Sequence, residues 1–285
     1  MAQDNEAERA WTEKAGDTWV RQRDRTDAQL GPLGLAVIDE LRPHAGERVL
    51  DVGSGTGQTL LQLAERVGPS GRVVGIDVSE PMTAEARARI AHAGVSNVEI
   101  VLGNAANQRF DQPFDVVFSR FGVMFFEDSV AAFTHLKSNM KPGGRLGFVC
   151  WQPLEKNPWV HRPLSAVQRV LPEQPLPALL APERPGPFYF SNPDLVRNIL
   201  ASAGLERIVI EPREFTISLG GANTLDDAVD FTLELGPTAR FIGDAPKERV
   251  PELQAAVREA LAPFATDHGV FMPFHGFIVT ARSPG

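Results

Sequence analysis

Gly53, Gly55 and Gly57 stand at alternate positions in Val49-Leu50-Asp51-Val52-Gly53-Ser54-Gly55-Thr56-Gly57-Gln58. A strand-like run precedes them and a helical pattern follows. That order places the loop at the carboxyl edge of a sheet, where open α/β folds bind ligands. Without Cβ atoms the chain can turn sharply and a ligand can lie almost on the backbone. A dinucleotide fingerprint of the Gly-x-Gly-x-x-Gly kind would need its third glycine at position 58, which is glutamine. A phosphate loop fails as well, because no Gly-Lys-Ser/Thr follows. Asp51 would repel a pyrophosphate and could hold a cationic amine; it could equally be a structural partner of the loop amides. The loop points away from phosphates and toward a zwitterionic nucleoside.

Five short runs rich in Val, Ile or Phe must carry this loop and its neighbours. They are residues 48–52, 72–77, 98–102, 114–118 and 145–149, and each reads as a strand buried on both faces of a parallel sheet. Between them, Leu60, Leu61, Leu63, Ala64 and Val67 form one helical stripe, and Ser79-Glu80-Pro81 opens another helix with Ser79 as N-cap. Strand–helix alternation of this spacing implies right-handed crossovers and a doubly wound sheet. Residues 152–190 hold nine prolines, a density that forbids a central strand and favours an irregular cover. Further on, Asn192-Pro193-Asp194 starts a helix that stops at Gly204, residues 205–210 read as a strand, residues 225–264 as a helical insert and residues 271–280 as the last strand. The division is a helical cap at 1–46, a cofactor-binding core at 47–151, a proline-rich lid insertion at 152–191, and a remainder of the core sheet at 192–285 with a helical insert near 223–265.

Taken together, these pieces resemble the class I S-adenosylmethionine-dependent methyltransferases, over roughly residues 45–151. The glycine loop is one motif. Val74-Gly75-Ile76-Asp77-Val78-Ser79 is a second: Asp77 ends the second strand where this family has an acid that accepts both ribose hydroxyls, a task suited to one ionised carboxylate. Gly103-Asn104-Ala105 stands where the family commonly has Gly-Asp-Ala, and the Asn104 carbonyl can still accept from an adenine amine. Residues 114–122 and Lys141-Pro142-Gly143-Gly144-Arg145-Leu146 complete the pattern. The resemblance implies an α/β, doubly wound, seven-stranded mostly parallel sheet (Rossmann-like) with a final antiparallel strand and lid insertions. It implies S-adenosylmethionine as cofactor, and it is similar to the small-molecule branch of ubiquinone/menaquinone-biosynthesis-type methyltransferases. The implied cofactor contacts are Asp51, Gly53, Ser54, Gly55, Thr56, Gly57, Asp77, Val78, Met82, Asn104 and Ala105.

Other residues are weighed on their own chemistry. Ser119, Arg120 and Phe121 leave the fourth strand toward the cofactor. Arg120 could pair with the cofactor carboxylate or with an anionic substrate, or form only a surface salt bridge. Asp115, within that strand, reads as an acid bonded to nearby backbone. Trp19 and Arg23, one helical turn apart, could close over the cofactor, with Trp19 alternatively a core anchor. Six histidines show no metal-ligand spacing, so no metal site is expected. His275 and His161 could act as general bases for an acceptor, or be merely structural. Trp151, Trp159, Phe188, Tyr189, Phe190, Met124, Phe125 and Phe126 could line an apolar pocket or pack a core of their own.

Composition narrows the partners. The 285 residues carry 28 basic against 36 acidic side chains, a net charge of −8, and that field opposes nucleic acid. One cysteine, no signal-peptide pattern and no apolar run long enough for a bilayer predict a cytoplasmic protein without a membrane span. The reading allows a homodimer. The predicted activity is S-adenosylmethionine-dependent methyl transfer to a small, apolar or aromatic acceptor by in-line displacement, with oxygen, nitrogen and carbon acceptors all open. The alternatives are a catalytically inactive S-adenosylmethionine-binding protein, a nicotinamide-dependent oxidoreductase, and a cyclase or decarboxylase on the same scaffold.

Overall fold

The computed structural model describes residue 11, residues 15–243 and residues 245–285, so most of residues 1–14 of the expected cap lie outside the described residues. Two helices open the described chain, α1 (Gly16–Arg21) and α2 (Arg23–Leu41). An alternating series follows: β1 (Arg48–Val52), α3 (Gln58–Val67), β2 (Arg72–Asp77), α4 (Glu80–His92), β3 (Val98–Leu102), β4 (Phe114–Arg120), α5 (Ser129–Ser138) and β5 (Met140–Trp151). The remainder is α6 (Pro158–Val170), α7 (Pro193–Ser202), β6 (Glu206–Ser218), α8 (Leu225–Glu234), α9 (Pro237–Ile242), α10 (Val250–Leu261), the two-residue β7 (Ala265–Thr266) and β8 (Gly269–Arg282).

The sheet order is β3-β2-β1-β4-β5-β8-β6. β3 through β5 run parallel, and β8 is antiparallel to both of its neighbours. This is the α/β, mostly parallel sheet that the alternation of short apolar runs and helical stripes predicts, with the one reversed strand that the resemblance implies. Gly75, Asp51, Phe118 and Gly147 form one row across β2, β1, β4 and β5. On that face a Cβ at Gly75 would lie 2.8 Å from Leu60 of α3, and one at Gly147 would lie 2.8 Å from Leu41 of α2. The helices therefore press directly on the strands. On the other face Phe133 of α5 packs on Phe148 and Phe190, at centroid distances of 5.8 and 6.2 Å.

Four expectations need correcting. β3 is not buried on both faces: it is the sheet edge, and Leu102 is exposed. Ser79 stands at the N-cap of α4 but its hydroxyl makes no capping bond; its amide is instead held by Asp77. The proline-rich stretch is not wholly irregular. Pro158 takes the N1 position of α6, where proline's fixed φ suits a helix and no intrahelical donor is lost, and α6 runs on through Pro163 at the cost of one backbone bond. Finally, the strand expected over 205–210 is longer, running on to Ser218 as β6.

That longer β6 matters for the site. The last pair between β5 and β8 is Trp151 with Gly276, so residues 271–275 of β8 run on past β5, paired only with residues 214–218 of β6. α6 and α8 pack against β8, and α10 packs on those two helices. Among the described residues no helix is long and apolar enough to cross a membrane.

The Phe126, Phe133, Phe148 and Phe190 rings form the packing unit of the second face. Truncating Phe133, which is fully buried, leaves a ring-sized hole among them. Phe133→Ala should lower unfolding free energy by about 3–5 kcal/mol, measured by urea titration. A loss under about 1 kcal/mol would contradict this packing.

Candidate active site

The glycine loop is tied down from three sides. From β2, the Ile76 carbonyl accepts from the amides of Gly53 (2.9 Å) and Ser54 (3.2 Å). The Asp77 carboxylate then bridges the loop and the start of α4: one oxygen accepts from Gly55 N and the other from Ser79 N, both at 2.9 Å. Burial pushes the Asp77 carboxyl above its usual range, while these amide bonds pull it back. From β4, Gly122 lies against the loop backbone. A Cβ on Gly53, whose φ is +73°, would stand 2.8 Å from Gly122 Cα, and a Cβ on Gly122 would stand 2.5 Å from the Val52 carbonyl. Gly53 is thus required by a backbone-to-backbone contact as well as by its turn. Gly55 is different. A Cβ there would meet only Met82 Sδ, at 4.0 Å, so its bare face looks onto open space.

Several buried polar atoms at the loop lack a protein partner. These are Asp51 Oδ1, Ser54 Oγ and Ser79 Oγ. Ser54 Oγ lies against Gly75 and Ser79 Oγ against Gly16. Asn104 turns its side-chain oxygen to Ala106 N at 2.9 Å, in a turn fastened to Asp77 through Gly103 N and the Asp77 carbonyl at 2.9 Å. Met82, Thr56 and Ala105 are buried and Val78 half-buried. A carboxylate at a strand end and bare glycine backbone facing open space at Gly55 fit an adenosyl group bearing hydroxyls.

Other predicted residues are placed elsewhere. Asp51 lies under the loop, accepting from Thr59 Oγ1. Burial pushes it up to about 7, against the Thr59 bond and the Arg120 charge that lower it. Ser119 donates to the Val52 carbonyl (2.7 Å) and accepts from Gly122 N (3.1 Å), stitching β1 to the turn after β4. Arg120 is no surface ion: it is buried beneath α2, bonded to Gln58 and facing Asp27. Asp115 accepts from Arg48 N at 2.9 Å and from Lys141. Trp19 packs edge-on to Trp11, which in turn meets Phe125. Arg23 belongs to a different helix from Trp19 and is occupied by Glu85.

Phe121 is the residue that joins the loop to the aromatics. It holds a left-handed φ of +61°, costly for a residue with a Cβ, and stacks on Trp151 at 4.4 Å. Trp151 also meets Trp159 (4.8 Å) and Phe274 (5.1 Å), and Phe274 meets Phe215. Phe215 and Phe274 were not singled out by the sequence reading; the alternation of Met272, Phe274 and Gly276 along β8 is the signal that reveals them. Phe190 and Phe126 belong instead to the core on the second face.

The histidines do not converge on this cluster. Neighbouring strand residues point to opposite faces, so the His275 ring lies across the sheet from Phe274, with Nδ1 4.0 Å from Glu214. His161 sits two residues beyond Trp159 on α6, about 200° round the helix, with Nδ1 buried and unpartnered. For His275 the general-base role gives way to this geometry.

Residues 43–161 match the family model of a methyltransferase domain. Over that stretch the chain is similar to a methyltransferase domain. The chain is 33% identical over 187 residues to nocamycin O-methyltransferase of Saccharothrix syringae, a match covering 62% of this chain and 65% of that protein. It is 36% identical over 110 residues to a demethylmenaquinone methyltransferase of Listeria monocytogenes, covering 38% and 46% respectively. The chain spans less than two thirds of the length of these relatives. Among solved structures, an S-adenosylmethionine-dependent methyltransferase of Aquifex aeolicus superposes with a TM-score of 0.54 at 18% identity, covering 95% of this chain and all of that one; it shares the fold.

Asp51 makes the methyltransferase domain's stability depend on pH. The folded chain keeps this proton up to about pH 7, whereas the unfolded chain releases it near 3.8. Stability contributed by the protonated carboxyl is therefore lost as pH rises between those values, at no more than about 1.4 kcal/mol per unit. Asp51→Asn should gain stability relative to wild type between pH 5 and pH 7.5, measured by urea unfolding at both. A pH-independent difference would contradict the assignment.

Proposed function

We propose that the protein moves the methyl group of S-adenosylmethionine to a small, largely apolar acceptor held between the glycine loop and the Phe121–Trp151–Trp159–Phe274 cluster. The observation carrying this reading is the strained Phe121, one residue from the Gly122–Gly53 contact and stacked on Trp151. It brings the cofactor loop and an aromatic wall within a few ångströms. In this reading Asp77 accepts from the ribose hydroxyls, Gly55 offers bare backbone, and Asn104 accepts from the adenine amine. When bound, the cofactor supplies a methyl already activated on a sulfonium, so the protein has little covalent chemistry left to do. Its residues orient and dry the site. The aromatic rings hold a flat acceptor by stacking, worth about 0.5–1.5 kcal/mol per pair beyond area burial, and exclude water from the reacting atoms.

The relative matched over 187 residues is named an O-methyltransferase, which favours an oxygen nucleophile here. Neither His275 nor His161 is needed for an acceptor that reacts as its anion. Residues 152–191 and the helices near 223–265 act in this reading as the cover of the acceptor.

Two measurements test this. Asp77→Ala should weaken S-adenosylhomocysteine binding at least tenfold by calorimetry, since each hydrogen bond to a charged group contributes about 1.5–3 kcal/mol; equal affinity would contradict the ribose assignment. In an acceptor screen with labelled methyl donor, Trp159→Ala should raise the KM for the acceptor several-fold and leave S-adenosylhomocysteine affinity unchanged. If the reverse pattern appeared, the aromatic wall would not be the acceptor site.

A further inference from the structure

Arg120 ends β4, and its side chain, 13% exposed, lies beneath α2. One guanidinium nitrogen donates to Gln58 Oε1 at the start of α3. The other stands 3.9 Å from Asp27 Oδ1 on α2, an oxygen with no hydrogen-bond partner. Gln58 Nε2 donates to the Asp27 carbonyl at 3.1 Å, and Arg89 of α4 donates to Asp27 Oδ2 at 2.5 Å. Room for this cluster comes from α2 itself. Gly31 and Gly34 lie one turn apart, where a Cβ would stand 3.1 Å from Gln58 Nε2 or 3.2 Å from Arg120 Cδ.

The same helix is fastened to the segment after β6. Gln29 Oε1 accepts from Gly220 N at 2.8 Å. Arg25 donates to the carbonyls of Gly220 and Asp227 and lies 5.0 Å over the Phe231 ring. α2 thus has the cofactor loop on one side and residues 219–231 on the other. A buried charge cluster adds little net stability, because desolvation offsets most of the attraction. What it does supply is geometry: a guanidinium is a planar fork that can hold two partners at fixed angles.

We propose that Arg120 is a positioning residue, holding α3 through Gln58 and α2 through Asp27 in one arrangement, so that the cofactor loop and residues 219–231 move as a unit. This rests on the reading of the glycine loop as the S-adenosylmethionine site. Binding at the loop then orders the far side of α2 without touching it.

The test uses the full chain with Arg120→Met, which keeps the aliphatic stem and removes the fork, Asp27→Asn as a second variant, and Arg197→Met as a distant control. S-adenosylhomocysteine affinity is measured by calorimetry, and hydrogen exchange of residues 219–231 with and without that ligand. Wild type and Arg197→Met should both show slower exchange at 219–231 on binding. Arg120→Met should bind at least tenfold more weakly and lose that protection even at saturating ligand. Asp27→Asn should do the same in lesser degree, and the double variant should be less than additive. If Arg120→Met fails to fold, Asp27→Asn decides alone.

A spectroscopic readout separates positioning from mere packing. Asp51 is faced by Thr59 of α3, Arg120 of β4 and Asp77 of β2, with Asp27 of α2 and Arg89 of α4 behind the guanidinium. Loss of the Arg120 charge should move the titration of the Asp51 carboxyl resonance to higher pH. Wild-type affinity together with normal ligand-induced protection in either variant would overturn the inference and leave the cofactor site standing. Failure of wild type to bind S-adenosylhomocysteine would overturn both.

Discussion

The Asp77 carboxylate, clasped by the amides of Gly55 and Ser79, is the constraint on which the rest of the molecule is arranged. It holds the turn after β1 against the turn after β2, two segments that the sheet register brings side by side. A carboxylate buried in this way must be compensated by donors, and two backbone amides provide that at the cost of fixing both turns. Everything at the carboxyl edge then follows in register. Gly53 can approach Gly122, Gly122 can turn the chain after β4, and Phe121 is left in a left-handed conformation that aims its ring at Trp151.

The second half of the chain builds outward from the sheet edge. β6 and β8 run on beyond β5, α6 and α8 pack against β8, and α10 packs on those two helices. Phe215 and Phe274 are cross-strand partners on that ribbon, so its register sets two aromatic rings of the cluster around Trp151. α2 links the two halves, since its small residues admit Gln58 and Arg120 while Gln29 and Arg25 grip residues 219–231.

Much of this was legible before any coordinates. Short continuous apolar runs and a glycine-rich strand-to-helix turn depend on local chemistry, so β1, β2, β4, β5 and the loop are readable from sequence, as is Asp77. Features set by distant partners were not. Nothing local distinguishes an edge strand such as β3 from a central one, and nothing local says that Gly53 answers to Gly122, 69 positions away. Arg120 read as a surface or ligand-facing charge because its partners, Asp27 and Gln58, come from α2 and α3. His275 looked like a base by residue type, and only strand alternation against Phe274 removes it from the cluster.

The central claim is that the edge formed by Gly53–Gly57 and Asp77 receives an adenosyl sulfonium with its reactive end toward Phe121 and Trp151. A crystal structure with S-adenosylhomocysteine tests it most directly. The account predicts ribose hydroxyls on the Asp77 carboxylate and the sulfur on the side of the Phe121–Trp151 stack. Ligand density elsewhere, or a ribose turned away from Asp77, would contradict it.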